Sequence, residues 1–150
     1  MDKAIFDKNH IYFDERSRTQ AEAFQAIAQK AFDLGYVKDK DSYYEGLWER
    51  EQEATTGFQD GIAIPHSKNP TCIKPGVFLI KFKHPIEWNA LDGKPVRTAL
   101  GLTIPEEGGE VHLRILSKLA RKMIDENFRT TLNESDDLNE LYNIVSAVEI

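Results

Sequence analysis

The residues best suited to chemistry lie between Thr55 and Ser67, TTGFQDGIAIPHS, where a short apolar run, Ile62-Ala63-Ile64, is followed directly by Pro65 and His66. Pro65 fixes φ, lacks an N–H and biases Ile64 toward extended backbone, which places it at the end of a strand rather than in its middle. His66 is then the first side chain past a buried strand. Gly57 and Gly61 flank Phe58-Gln59-Asp60 and mark positions of positive φ or close backbone approach, so a tight loop is expected there. An imidazole held at such a point can accept and release an anionic group. At its ordinary pKa, roughly three quarters of such an imidazole is neutral and nucleophilic at pH 7. A phosphoryl group on it would carry about −1.5 to −2 charges and require N–H groups, hydroxyls and an arginine around it. Thr55 and Thr56 offer hydroxyls, and Arg50 is the nearest arginine in sequence. A guanidinium is well matched to phosphoryl oxygens. The plain alternatives are an ordinary strand-end histidine and, for Arg50, a solvated charge between Glu49 and Glu51.

Other chemistries have less support. His66 and His112 lack the short spacing of common metal motifs, and one cysteine cannot build a thiolate site, so no metal or other cofactor is expected. There is no GxSxG elbow, and Cys72 lies in a Pro-containing loop with no evident activating partner. Neither GxGxxG nor GxxxxGK[ST] occurs, which argues against direct nucleotide binding. A water-activating hydrolase using His66 and His112 remains only as a remainder.

The elements that must position these residues read as α/β. Thr19 and Glu22 have capping-box spacing, and Ala21, Phe24, Ile27, Ala28, Ala31 and Phe32 recur at helical period up to Gly35. Asp41 or Ser42 is expected to cap a second helix running to about Ala54, with Tyr44, Leu47 and Trp48 inward. Ile11-Tyr12-Phe13 is a short strand candidate. Ser67 to Gly76 reads as a polar loop. Val77–Phe82 reads as a central strand that Pro85 breaks, leaving Ile86-Glu87-Trp88 as a short arm. After a turn at Leu91-Asp92-Gly93, Val96–Ile104 is another buried strand. A helix from about Glu110 to Ile124 carries His112 in its first turn and an apolar stripe of Leu116, Leu119, Ala120 and Met123. Asn127–Leu132 is a helical turn, and Ser135 is expected to cap the last helix. Helices, three strands and helices again imply a mixed β-sheet flanked by helices, three-layer α/β/α, with residues 1–150 as a single domain.

The balance of 25 acidic against 19 basic residues gives a net charge of −6. That charge argues against nucleic acid as a partner, which needs a basic face. No apolar run reaches the length of a membrane span, and the first residues lack the apolar core of a signal peptide, so a cytoplasmic protein is expected. A lone cysteine fits a reducing compartment.

Several segments together carry a resemblance: Arg50-Glu51, Thr56-Gly57, Gly61-Ile62-Ala63-Ile64-Pro65-His66, Asp92-Gly93, His112-Leu113 and Ile115-Leu116-Ser117-Lys118-Leu119-Ala120. The chain closely resembles the enzyme IIA domain of the fructose/mannitol class of the bacterial phosphoenolpyruvate-dependent sugar phosphotransferase system. It departs from that family's usual pattern in Phe58-Gln59-Asp60 between the glycines and in Ser67 after the histidine. The resemblance implies that His66 is phosphorylated, through Nε2, by the carrier protein HPr. It further implies that His66 passes the group to a cysteine of a cognate IIB, and so, through a membrane IIC, to an incoming sugar. It makes His112 the companion of His66 in the active site and Arg50 the group that steadies the phosphate. Thr55, Thr56, Gly57 and Gly61 are the remaining candidates for stabilising it. Visiting proteins would dock around His66, with Phe58 and Ile73 near it. A regulatory module, whose phosphorylation state controls another protein, is the second reading.

Overall fold

A computed structural model of the chain describes residues 1–149. Strand β1 (Ile11–Asp14) is followed by helices α1 (Gln20–Asp33) and α2 (Lys40–Glu53), then strands β2 (Ile62–Ala63), β3 (His66–Lys68), β4 (Gly76–Ile86) and β5 (Val96–Ile104). Helices α3 (Gly109–Lys122), α4 (Glu126–Glu134) and α5 (Leu138–Ser146) complete the order. The sheet is mixed. β4 and β5 are antiparallel at its centre, β1 runs parallel to β4, and both β2 and β3 run parallel to β5 along its other side.

Alternation along the central strands sends side chains into two separate cores. Phe78, Ile80, Phe82 and Ala99 pack with Phe24, Ile27 and Leu47 from α1 and α2. Val77, Leu79, Leu100, Leu102 and Ile104 face the other way, against Ile115, Leu119, Phe128, Leu141 and Val145 from α3, α4 and α5. This is the three-layer arrangement expected from the sequence.

Several boundaries differ from expectation, each for a local reason. The sheet has five strands, not three, because β1 and the short pieces β2 and β3 all find partners. His66 follows the strand at Ile62–Ala63 as expected but also opens β3, and the supposed loop from Ser67 begins with strand pairing to Thr103 and Ile104. Pro85 lies inside β4, where the register with β5 shifts between Lys81 and Ile86, so its missing N–H costs no ladder bond. α2 is capped by Asp39, whose side chain accepts from Asp41 N, and it buries Tyr43, Gly46 and Leu47 while Tyr44 and Trp48 are only half-buried. α5 is capped by Asp137, whose carboxylate accepts from Asn139 N and Glu140 N, while Ser135 Oγ accepts from Asp137 N one turn earlier. At the end of α4, the buried Lys81 amine donates to the carbonyls of Leu132 and Asn133, and burial lowers its pKa to about 8.

His10 is another buried ionisable group. Its Nδ1–H donates to the Val77 carbonyl at 3.0 Å, and its ring stacks on Phe78 with centroids 4.9 Å apart. Burial holds its pKa below the ordinary 6.5. The unfolded chain therefore takes up this proton first, and the stabilisation from a neutral His10 is complete above 6.5 and lost as pH falls from there through the folded-state value. The urea midpoint is expected to drop between pH 7.5 and 5.5, and a His10→Phe protein to show a flatter dependence over that window. An unchanged slope in the variant would remove His10 as the cause.

Candidate functional site

The site is built where α2 crosses β3. The chain leaves α2 at Ala54, and Ile64 N–H donates to the Thr56 carbonyl at 3.0 Å, so the loop folds back beside the strand it precedes. Pro65 then interrupts the edge that β2 and β3 form along β5, and its carbonyl accepts from Leu102 N. The Ile64 carbonyl is left for the ring of His66, whose Nδ1 lies 2.8 Å from it. A carbonyl can only accept, so Nδ1 carries the proton and Nε2 presents a bare lone pair. Arg50, in the last turn of α2, donates from Nε to that Nε2 at 3.2 Å, and its Nη1 donates to the Ala54 carbonyl at 2.8 Å.

His66 is half-buried. Burial holds its pKa below the ordinary imidazole range, and the Arg50 cation adds to this. The Ile64 hydrogen bond acts in the opposite direction, and Glu51 and Glu53 do so more weakly. The ring at neutral pH is therefore mainly uncharged, with Nδ1 tied to the main chain and the Nε2 lone pair held only by the Arg50 N–H. No separate base is needed to prepare it.

Thr56 is buried, and both its donors are committed to Glu51: N–H to Oε2 at 2.8 Å and the hydroxyl to Oε1 at 2.6 Å. The Thr56 oxygen also accepts from Trp88 Nε1 at 3.2 Å. Gly57 N–H donates to Thr55 Oγ1, and Ala90 lies where a side chain on Gly57 would have to go, so this glycine answers close approach rather than positive φ. Of the two threonine hydroxyls, that of Thr55 keeps an uncommitted proton. Gly61, with φ +80°, serves the turn into β2, and its carbonyl accepts from Arg97 N and Thr98 N. β2 meets β5 at Thr98 and His66 meets it at Leu102, so the Gly61 Cα lies about 13 Å or more from the His66 Cα at strand spacing. Asp60 is held there by Arg129 and Lys94.

His112 occupies the first turn of α3, where its Nε2–H donates to the Glu107 carbonyl at 3.0 Å and its buried Nδ1 has no partner. It makes no hydrogen bond to His66. The start of α3 nevertheless adjoins β3, since Lys68 Nζ lies 3.5 Å from the point where a Cβ on Gly109 would sit. Phe58 is half-buried against the core of the α3–α5 face, whereas Ile73, Val111 and Leu113 are exposed.

Sequence reasoning brought Arg50 to His66 but missed Glu51, Trp88 and the Ile64 carbonyl. Glu51 had a signal, a carboxylate five positions before a threonine across a helix end. The carbonyl had none. Thr56→Val is expected to leave the Glu51 carboxylate and the Trp88 N–H without their partner and to cost about 1–3 kcal/mol, read as a lower urea midpoint.

Residues 4–148 match the family model described as phosphoenolpyruvate-dependent sugar phosphotransferase system, EIIA 2. The chain belongs to this EIIA type 2 family. It is 36% identical over 138 residues to the fructose-specific EIIA component of Haloferax volcanii, covering 92% of this chain and 90% of that one. Among solved structures, the nitrogen regulatory protein IIA-Ntr from Neisseria meningitidis is similar with a TM-score of 0.79 and 27% identity, over 93% of this chain and 94% of that one. A complex of enzyme IIAMTL and phosphorylated enzyme IIBMTL from Escherichia coli also gives a TM-score of 0.79, at 17% identity, over 94% of this chain and 96% of that one, and shares the fold. The EIIA domain is thus a phosphotransferase component, and its phosphocarrier role follows from its family. Among the described residues no helix is long and apolar enough to cross a membrane.

Proposed function

We propose that this EIIA chain carries a phosphoryl group on His66 Nε2, accepting it from phospho-HPr and passing it to a cysteine of a cognate IIB during sugar uptake. The observation that carries the reading is the pair of contacts on one ring, Nδ1–H to the Ile64 carbonyl and Arg50 Nε to Nε2. In the first step the Nε2 lone pair attacks phosphorus, the N–P bond forms, and the donor's bond to phosphorus breaks with its electron pair returning to the donor. Nδ1 keeps its proton throughout. The positive charge that builds on the ring is shared into the Ile64 carbonyl, and Arg50 turns its N–H groups from the nitrogen to the phosphoryl oxygens. In the second step the acceptor's thiolate attacks phosphorus, the N–P bond breaks and the ring is neutral again.

Arg50 and the Thr55 hydroxyl are the groups on this chain proposed to hold the phosphate. Thr56, Gly57 and Gly61 are proposed to shape the loop instead. His112 is proposed to act from the start of α3 on the bound phosphoryl group, with Val111, Leu113 and Ile73 supplying apolar contact for visiting proteins. The setting for this exchange is the cytoplasm. Incubation with labelled phosphoenolpyruvate, enzyme I and HPr is expected to place acid-labile label on residue 66, and addition of the cognate IIB to discharge it. No label on the chain would end the proposal.

The regulatory reading keeps the same chemistry and changes the end point. The likeness to a nitrogen regulatory IIA favours it. A labelled chain that discharges to no sugar-system IIB yet forms a stable complex with a kinase, channel or transcription factor would select it.

A further inference from the structure

Helix α2 has a buried glycine, Gly46, at its middle. Glycine is the poorest helix former short of proline, and a helix interior makes no use of its backbone freedom. The reason for it lies on the strand below. A Cβ on Gly46 would stand 2.2 Å from Ser67 Oγ, 2.6 Å from Asn69 Nδ2 and 3.2 Å from Ser67 Cβ. Ser67 is itself buried and has little room to withdraw. α2 therefore rests on β3 at a separation that a hydrogen atom at position 46 permits and a methyl group does not.

Arg50 follows Gly46 by one helical turn on the same face, and His66 precedes Ser67 on the strand. The two contacts neighbour one another along both elements, Gly46 against Ser67 and Arg50 against His66 at the strand's start. The N-terminal half of α2 has fastenings of its own, of which the Tyr43 bond is independent of position 46. Tyr43 Oη donates to the Leu102 carbonyl at 2.6 Å, the strand residue registered with His66, and Asn69 Nδ2 donates to the Ser42 carbonyl at 3.1 Å. A helix pinned to β5 through Tyr43 and lifted at position 46 tilts, and the tilt is largest at its far end, where Arg50 stands.

We infer that Gly46 is a positioning residue for phosphoryl transfer: it sets the α2–β3 separation that brings the Arg50 guanidinium onto His66 Nε2. The inference rests on the reading of His66 as the phosphoryl acceptor. A lift of 1 Å is enough to break a 3.2 Å contact, and misplacement on that scale costs up to about 100-fold in rate.

The test is Gly46→Ala, read in two ways: the rate of transfer from phospho-HPr, and the titration midpoint of the His66 ring by NMR with Arg50→Met as reference. The rate is expected to fall by about 10- to 100-fold. The midpoint is expected to rise toward that of Arg50→Met, because the cation that lowers it has moved away. Both Ser67 Oγ and Asn69 Nδ2 meet the added Cβ, so removing the two opposing side chains, in Gly46→Ala with Ser67→Gly and Asn69→Ala, is expected to restore both readings to those of the Ser67→Gly, Asn69→Ala protein. A protein that loses fold without losing this contact would not be rescued in that way. Should Gly46→Ala fail to fold, Ser67→Thr adds the methyl group from the strand side and is expected to shift both readings in the same directions. A wild-type rate and midpoint in the Gly46→Ala protein overturns the inference, as does failure of the rescue by Ser67→Gly with Asn69→Ala. If the wild-type chain accepts no phosphate at all, the phosphocarrier proposal fails by itself, and the titration midpoints still decide what Gly46 does.

Discussion

His66→Gln is expected to reduce acceptance of acid-labile phosphate by at least about 10³-fold, the scale on which loss of a covalent nucleophile acts. Glutamine is close to histidine in size and fills the site, with its amide at the level of Nε2 rather than Nδ1, so it gives up only the single hydrogen bond to the Ile64 carbonyl. What it lacks is a nitrogen lone pair able to bond phosphorus. The variant should unfold at a urea midpoint near that of the wild type, which separates lost chemistry from lost structure. Persistent label on the His66→Gln chain would show that another group accepts the phosphate, with His112 the first to examine.

Arg50→Met is expected to slow transfer by about 10²-fold, comparable to deleting one preorganised donor to an oxyanion. Two effects are superimposed here, and pH separates them. Arg50 lowers the pKa of His66, so its removal raises the midpoint and leaves a larger protonated, unreactive fraction near pH 7. At pH 8 the ring is neutral in both proteins, and the remaining loss reports the clamp on phosphoryl oxygens alone. Protonation can change the reactive fraction by only a small factor near neutrality, so the clamp is expected to account for most of the loss. Arg50→Lys should recover part of the rate, since an ammonium supplies the charge without the planar fork. A wild-type rate for Arg50→Met at pH 8 would confine Arg50 to tuning the ring.

The parts legible in the sequence were those with strong periodicity. β5 was read as Val96–Ile104, its span in the structure, because no proline interrupts it and apolar and β-branched residues dominate it. α1 announced itself through Thr19 and Glu22. The misplaced parts share a cause, which is that tertiary partners decided between locally equivalent options. Asp39, Asp41 and Ser42 can all cap a helix, as can Ser135 and Asp137. Pro85 stops a strand unless the ladder slips beside it, and here it slips. The inward face of α2 was assigned to Tyr44, Leu47 and Trp48, one residue away from Tyr43, Gly46 and Leu47. Gly46 has no side chain to weigh, so the centre of the true stripe was invisible to hydropathy.

In the site, a proline followed by a histidine singled out the ring proposed to react, and proximity in sequence suggested Arg50, which the structure places against it. Thr56 and Gly57 looked like donors because their partners, Glu51 and Thr55, could equally have been solvated. Gly61 looked near because it is five residues from His66, and extended backbone carries it away.

The tether on Nδ1 comes from the main chain, and that bears on how such a domain can diversify. Every amino acid brings the same carbonyl, so no single substitution at position 64 deletes the bond that selects the tautomer. Surface residues around the ring can then drift to suit new visitors while the atom offered to them stays the same. Heredity can rewrite who docks here without rewriting the reaction.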